Sequence, residues 1–306
     1  MTGPTTGPTP AAVTPAQPNF LYVGTSKAGS TWLFNALALH PDVYLASSKG
    51  LYYFDQHYGN GPEWYLRQFE GAGAQPAIGE ISHSYLSSEP AAERIAELNP
   101  RMRLLACLRE PVDRAFSDYL DLVKNGQHDG SFESALDRFP RLVDRGRYAT
   151  HLQRYVDRFP REQLHISLFD DLGADAQAYA DDVFSFLGVS RLLLPPGALQ
   201  RRMPAGVPRS RTMAATTKRA SRLVLRLGLR RLRSTVKRSA VVRQALYRSY
   251  ADDRPTVDPA LAAELRREFA VEVSALDALL GRPVSQLWGY APGLPGSGDT
   301  VIDGAR

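Results

Sequence analysis

The chain has 306 residues, 43% of them hydrophobic and 23% charged, an ordinary globular composition that excludes a collagen, a coiled coil or wholesale disorder. A chain of this length buries about 75% of its unfolded surface, so it needs no disulfide or metal staple. The 37 Lys and Arg against 32 Asp and Glu give a net +5, unevenly placed. Fifteen of the basic residues and no acid fall between Arg201 and Arg248, which leaves 22 basic against 32 acidic residues, a net −10, elsewhere. An acidic body with one cationic segment points to an anionic ligand or surface.

No apolar run approaches the roughly 20 residues of a membrane span, so no transmembrane segment is expected. Met1–Pro18 has neither a basic start nor an apolar core, and no signal peptide is expected. Together with the single cysteine, Cys107, this leads to the expectation of a reducing cytoplasm. Residues 1–18 and 291–306, rich in Pro, Gly, Thr and Asp, read as disordered tails around a single domain at 19–290.

In chain order, Phe20–Val23 is a short apolar run ending in Gly24, the pattern of a buried strand. Ser30–His40 has helical spacing through Trp32, Leu33, Ala36 and Leu37, and Pro41 follows. Val43–Ala46 and Ala77–Glu80 read as strands, Pro90–Leu98 as a helix, and Arg103–Leu108 as the central strand. Pro111 suits the first turn of a helix reaching about Lys124. Tyr148–Phe159 reads as helix, Leu164–Leu168 as strand and Ala174–Leu187 as helix. Asp258-Pro259 opens a helix that stops before Gly281, its apolar face formed by Leu261, Leu265, Phe269, Leu276 and Leu280. Alternating strands and helices predict an α/β domain: a central parallel sheet with helices on both faces. Ligands of such sheets bind beyond the carboxyl ends of the strands, here after Val23, Glu80 and Leu108.

After Val23 comes Gly24-Thr25-Ser26-Lys27-Ala28-Gly29-Ser30-Thr31. It has both glycines and the final Thr of the nucleoside-triphosphate loop G-x-x-x-x-G-K-[ST], but Ser30 stands where the lysine belongs and Lys27 lies inside the loop. Small residues, inward amides and the positive end of the next helix still form a phosphate cradle. The central strand ends in Leu108-Arg109 and not in a magnesium-holding Asp, so no metal is expected. Arg109 at the strand end and Ser117 on the next helix form a second anion anchor, a guanidinium fork plus a hydroxyl. The structural alternatives are a plain Gly/Ser turn and an Arg109 paired with Glu110 or Asp113.

Together these residues resemble the sulfotransferases that use 3′-phosphoadenosine 5′-phosphosulfate (PAPS), in the carbohydrate-type branch with heparan sulfate and bacterial enzymes. Lys27-Ala28-Gly29-Ser30-Thr31-Trp32-Leu33 is similar to that family's 5′-phosphosulfate loop. Leu108-Arg109-Glu110-Pro111 with Arg114, Ser117, Asp118 and Tyr119 is similar to its 3′-phosphate motif. Tyr52-Tyr53-Phe54-Asp55, Gly79-Glu80-Ile81-Ser82 and Tyr148 through His151-Leu152 follow in the family's order, and Pro208-Arg209-Ser210-Arg211 resembles a basic loop that closes on the nucleotide. The resemblance covers about residues 19–290. It implies metal-independent transfer of a sulfuryl group from PAPS to a hydroxyl of a small-molecule, glycolipid or saccharide acceptor, with PAP as the nucleotide product. Lys27 would neutralise charge on the bridging oxygen, and Arg109, Ser117, Arg209 and Arg211 would hold the 3′-phosphate.

The chain departs from the family at three places. Where many relatives carry Lys-Glu, with that Glu the usual base, the sequence reads Lys49-Gly50. Where heparan-type members have Glu-Lys-Ser it has Glu80-Ile81-Ser82, which argues against a heparan-like acceptor, and His83 follows where Pro is commoner. The candidate bases are then His83, with an ordinary pKa of about 6.5, and Glu80 as its orienter or substitute.

Two other readings exist. A P-loop nucleotide kinase would need the missing lysine and Asp. A non-enzymatic binder of membrane surfaces or nucleic acid would use the 201–248 segment. There Arg219, Arg222, Arg226, Arg230, Arg233 and Lys237 fall on one helical stripe beside Leu225, Leu229, Leu232 and Val236. We expect that helix to overlook the cleft, with no nucleic-acid partner and with peripheral membrane contact as the alternative use.

Overall fold

The structure, a computed structural model, describes residues 17–199, 206–208, 247–249 and 255–290. Five strands form its central sheet: β1 (Phe20–Gly24), β2 (Val43–Leu45), β3 (Ala77–Ile81), β4 (Arg103–Leu108) and β5 (Leu164–Leu168). All pair in parallel in the order β2-β3-β1-β4-β5. The chain therefore leaves β1 in one direction, fills β2 and β3, and returns to add β4 and β5 on the other side. That reversal at β1 opens a crevice beyond its carboxyl end.

Alternation along the strands sends side chains to two cores. Leu21, Val23, Ile78, Leu104, Ala106 and Leu108 face one side. They pack against α3 (Ala91–Leu98), α4 (Pro111–Lys124), α7 (Tyr148–Val156) and α11 (Pro259–Leu280). Phe20, Tyr22, Ile81, Leu105 and Cys107 face the other, against α1 (Ser30–Leu37), α8 (Phe169–Ala174) and α9 (Ala176–Leu187). This is the expected two-faced α/β architecture. Short helices α2 (Pro62–Leu66), α5 (Phe132–Arg138), α6 (Arg141–Asp144), α10 (Pro196–Leu199) and α12 (Val284–Leu287) fill the connections. A two-stranded antiparallel ribbon, β6 (Gly206–Pro208) with β7 (Tyr247–Ser249), lies beside α4.

Three helix boundaries differ from the sequence reading. Helix α1 stops at Leu37, because Leu39 and His40 bond back three residues to Ala36 and Leu37 in a tight turn before Pro41. The helix expected over 174–187 begins at Ala176, and a separate short helix, α8, precedes it. Asp175 is extended, and its carboxylate accepts from the amides of Gln177 and Ala178, which ends α8 and caps α9. Helix α7 ends at Val156 and not at Phe159. On α11 the buried stripe is Leu265, Phe269, Val273 and Leu276, with Leu261 and Leu280 at its margins. The expected stripes of basic and apolar residues at 219–237, and both terminal tails save residues 17 and 18, lie outside the described residues.

Candidate active site

The loop from Thr25 to Gly29 joins β1 to α1 at the sheet's crevice. The Thr25 amide donates to the Cys107 carbonyl of β4, which fixes the loop's start. Gly29, at φ +83°, caps α1, and a Cβ there would lie 2.8 Å from Leu172, so only glycine lets the turn close against α8. Lys27 also adopts a left-handed conformation, φ +68°. Its ammonium is 3.5 Å from the Asp121 carboxylate of α4. The Ser26 hydroxyl is buried and makes no hydrogen bond among the described residues. An orphaned hydroxyl in a loop at a helix N-terminus fits a phosphate or sulfate oxygen. Trp32 points away and donates to the Ala198 carbonyl of α10, so its role in this structure is to brace α1.

Lys49 reaches the same place from the other side. Its ammonium donates to the Ser30 hydroxyl at 2.9 Å and the Thr31 hydroxyl at 2.6 Å, in the first turn of α1. Among the described residues no carboxylate lies within ion-pair distance of it. Burial and then the charge of Lys27 pull its pKa down to about 8. Two lysines at the positive end of a helix form a site that an anion would neutralise.

Arg109 follows β4. Its guanidinium is 3.4 Å from the Lys27 carbonyl, 3.1 Å from the Asp113 carboxylate, and over the Phe169 ring. The Arg109 carbonyl accepts from buried Tyr148, which pins the strand end. Both alternatives for Arg109 therefore coexist: it pairs with Asp113 and also borders the loop. Ser117 lies half-buried on α4, two turns after Pro111. Arg209 and Arg211 lie outside the described residues.

The carboxyl end of β3 contributes the third group. Glu80 is 1% exposed. It accepts from the Ser82 hydroxyl, the Tyr85 hydroxyl and the Leu51 amide. Burial lifts its pKa to about 6 against those stabilising hydrogen bonds. These bonds bind the 49–54 loop to β3 and turn the carboxylate away from His83, with which it makes no hydrogen bond. The expectation that Glu80 orients His83 is therefore corrected: the partner of His83 is Tyr52, whose hydroxyl is 2.8 Å from Nε2. Burial, then the charges of Lys49 and Arg145, bring the His83 pKa down to about 4, so the imidazole is neutral at pH 7. Arg145 is held by Asp118 at 3.1 Å, across from His83 on the α4 side. The His83 carbonyl would be 3.3 Å from a Cβ on Gly24, which sets this residue against the loop's first residue.

Sequence reasoning missed Lys49 as an anion-facing cation, Tyr52 as the partner of His83, and Arg145. Lys49 and Tyr52 sit in runs the sequence singled out, but their spacing carries no signal of convergence on β1 and β3. Among the described residues no group of three His, Cys, Asp or Glu is placed to hold a metal, and no helix is long and apolar enough to cross a membrane.

The profile of the family described as "Sulfotransferase domain" matches residues 17–201, the stretch that carries the loop, Lys49, His83 and Arg109. The chain belongs to the sulfotransferase domain family. It is 30% identical over 163 residues to human heparan sulfate glucosamine 3-O-sulfotransferase 5, covering 49% of this chain and 47% of that protein. It is 37% identical over 105 residues to the membrane-associated sulfotransferase kil1 of Dictyostelium discoideum, covering 33% and 22%. The chain thus spans about half the length of the human relative and less of the amoebal one. A solved sulfotransferase from Alicyclobacillus acidocaldarius superposes with TM-score 0.66 at 26% identity over 89% of this chain and 98% of that one.

Proposed function

We propose that this chain is a PAPS-dependent sulfotransferase that moves the sulfuryl group to an acceptor hydroxyl and releases PAP. The observation that carries the reading is the cluster of Lys27, Lys49, the unsatisfied Ser26 hydroxyl and the N-terminus of α1, with Arg109 one loop away. In in-line transfer the acceptor oxygen attacks sulfur as the bridging S–O bond breaks, and its electron pair leaves on the phosphate of PAP. The charge to be stabilised therefore lies on the equatorial oxygens and the leaving oxygen. Lys27 faces the latter, while Lys49 and the α1 amides serve the former. Arg109 and Ser117 suit the 3′-phosphate that distinguishes PAPS from other adenine nucleotides. His83, neutral and next to the loop, is the base toward the acceptor.

We propose as acceptor a saccharide, glycolipid or small molecule bearing a hydroxyl; the heparan sulfate relatives support the saccharide. The proposal keeps the protein in a reducing, cytoplasmic compartment of a bacterial cell. The single Cys107 is buried, its thiol pushed up to about 12 by burial, which is compatible with that placement.

The deciding experiment compares thermal shifts with PAP and with ATP–magnesium. PAP at 100 times its Kd should add about 2.7 kcal/mol of stability. Stabilisation by ATP–magnesium alone, or turnover that stops in EDTA, returns the chain to the kinase-like reading.

A further inference from the structure

Gly50 removes the carboxylate expected beside Lys49, and the structure shows what replaces it. Gly50 has φ +81° and Tyr52 has φ +52°, a conformation that a bulky residue rarely adopts. The two turns fold the Tyr52 ring back over position 50. A Cβ placed there would meet Tyr52 Cε2 at 2.6 Å, Cζ at 2.7 Å and the hydroxyl oxygen at 2.8 Å. Any side chain at position 50 would evict the phenol. The space next to Gly50 is thus filled by a hydroxyl that reaches on to His83 Nε2.

Tyr52 is fixed on every side. The Gly50 amide donates to the Ile81 carbonyl, the Leu51 amide to Glu80, and the Tyr52 amide to the Ser82 hydroxyl. Lys49, three residues before, sits on the first turn of α1, where the donor's sulfuryl group is expected. Tyr52 and His83 are both half-buried, but the His83 Nδ1 atom is buried and makes no hydrogen bond among the described residues, and Nε2 is taken by the phenol. An acceptor therefore meets the Tyr52 hydroxyl before either ring nitrogen of His83.

On the sulfotransferase reading of this site, we propose that Tyr52 is a catalytic residue that relays the acceptor's proton to His83. The acceptor O–H proton passes to Tyr52 Oη as the phenol's own proton passes to His83 Nε2. The acceptor oxygen forms its bond to sulfur, the bridging S–O bond breaks, and the electron pair leaves with PAP. The imidazolium then returns its proton to water. The resting protonation states suit this. Burial, aided by the Asp55 and Glu80 carboxylates, raises the phenol pKa, so Tyr52 holds its proton. His83 is neutral, and a bound anion at Lys49 would offset the charge that depresses it, raising its proton affinity when the donor arrives.

Two measurements test the relay in the full-length protein. The first is ¹⁵N NMR of histidine-labelled protein with PAP bound. Nε2 of His83 should be the unprotonated nitrogen, and Tyr52→Phe should shift its resonance. A resting proton on Nε2 would overturn the relay, because that nitrogen could not then accept one. The second is turnover with PAPS and phenols of graded acidity, from 4-nitrophenol to phenol. Tyr52→Phe should keep PAP affinity and lose about 10²–10⁴ in rate on phenol, but far less on 4-nitrophenol, which is about half ionised near pH 7 and largely ionised at pH 8. Equal loss on both would mark a merely structural tyrosine. Absence of any PAP binding to the unaltered protein would instead sink the sulfotransferase reading itself, a result separate from either of these.

Discussion

The Lys27 ammonium lies 3.5 Å from the Asp121 carboxylate, so the loop lysine leans across the crevice to α4. Both side chains are partly exposed, at 27% and 47%, so the pair itself is weak, about 0.2–1 kcal/mol. It nevertheless sets a negative charge against the site of an anion. Asp121→Asn should tighten PAP binding by up to about fivefold, the equivalent of 1 kcal/mol. Titration calorimetry checks this, and unchanged or weaker binding would remove Asp121 from the donor site.

Lys27→Ala should retain the fold and most PAP affinity but lose about 10²–10³ in turnover, the usual cost of removing one donor aimed at developing charge. Circular dichroism and single-turnover kinetics separate the two effects. A variant that turns over normally shows that another cation, Lys49 first, neutralises the leaving oxygen.

Arg109→Ala should weaken PAP binding by about 1.5–3 kcal/mol, the value of a hydrogen bond to a charged group. Adenosine 5′-monophosphate, which lacks the 3′-phosphate, should be insensitive to the change. Equal losses for the two nucleotides would mean that Arg109 braces the Lys27 carbonyl and does not read the 3′-phosphate.

The pH profile of kcat/KM should be a plateau bounded by two groups of the free enzyme. His83 accepts a proton only when neutral, so the acid limb should fall near pH 4. Lys49 holds an anion only when charged, so the alkaline limb should begin near pH 8. Lys49→Arg should move the alkaline limb upward by more than one pH unit. If the limb does not move, Lys49 is not the group that titrates there.

Glu80 gives a stability signature of known sign. Its carboxyl is ordinary at 4.5 when unfolded and is lifted to about 6 by burial in the native state. Between these values the native protein binds more protons, so stability falls as pH rises through that window. The separation corresponds to about 2 kcal/mol. Denaturant midpoints of the wild-type protein relative to Glu80→Gln should fall between pH 4.5 and 6 and level off above. A flat difference would show that the hydrogen bonds from Ser82, Tyr85 and Leu51 balance burial, and a rising one that they outweigh it.

The five strands, the Gly24–Thr31 loop and the place of Arg109 at the end of β4 are all legible in the sequence. Those features are local: an apolar run ending in Gly24, small residues around Lys27, and Pro111 opening a helix one residue beyond Glu110. Periodicity and turn chemistry act over a few residues, so they are legible in order along the chain. Which distant side chains meet depends on the three-dimensional packing of the strands. Lys49 reaches Ser30 and Thr31 only because β2 pairs with β3, and β3 with β1, which brings the 49–54 loop over the crevice. His83 looked paired with Glu80 because they are three residues apart. The fold turns the Glu80 carboxylate inward to three donors and gives His83 to Tyr52, thirty-one residues away. That exchange rests on two positive φ angles, at Gly50 and Tyr52, and tertiary packing alone holds the second of them.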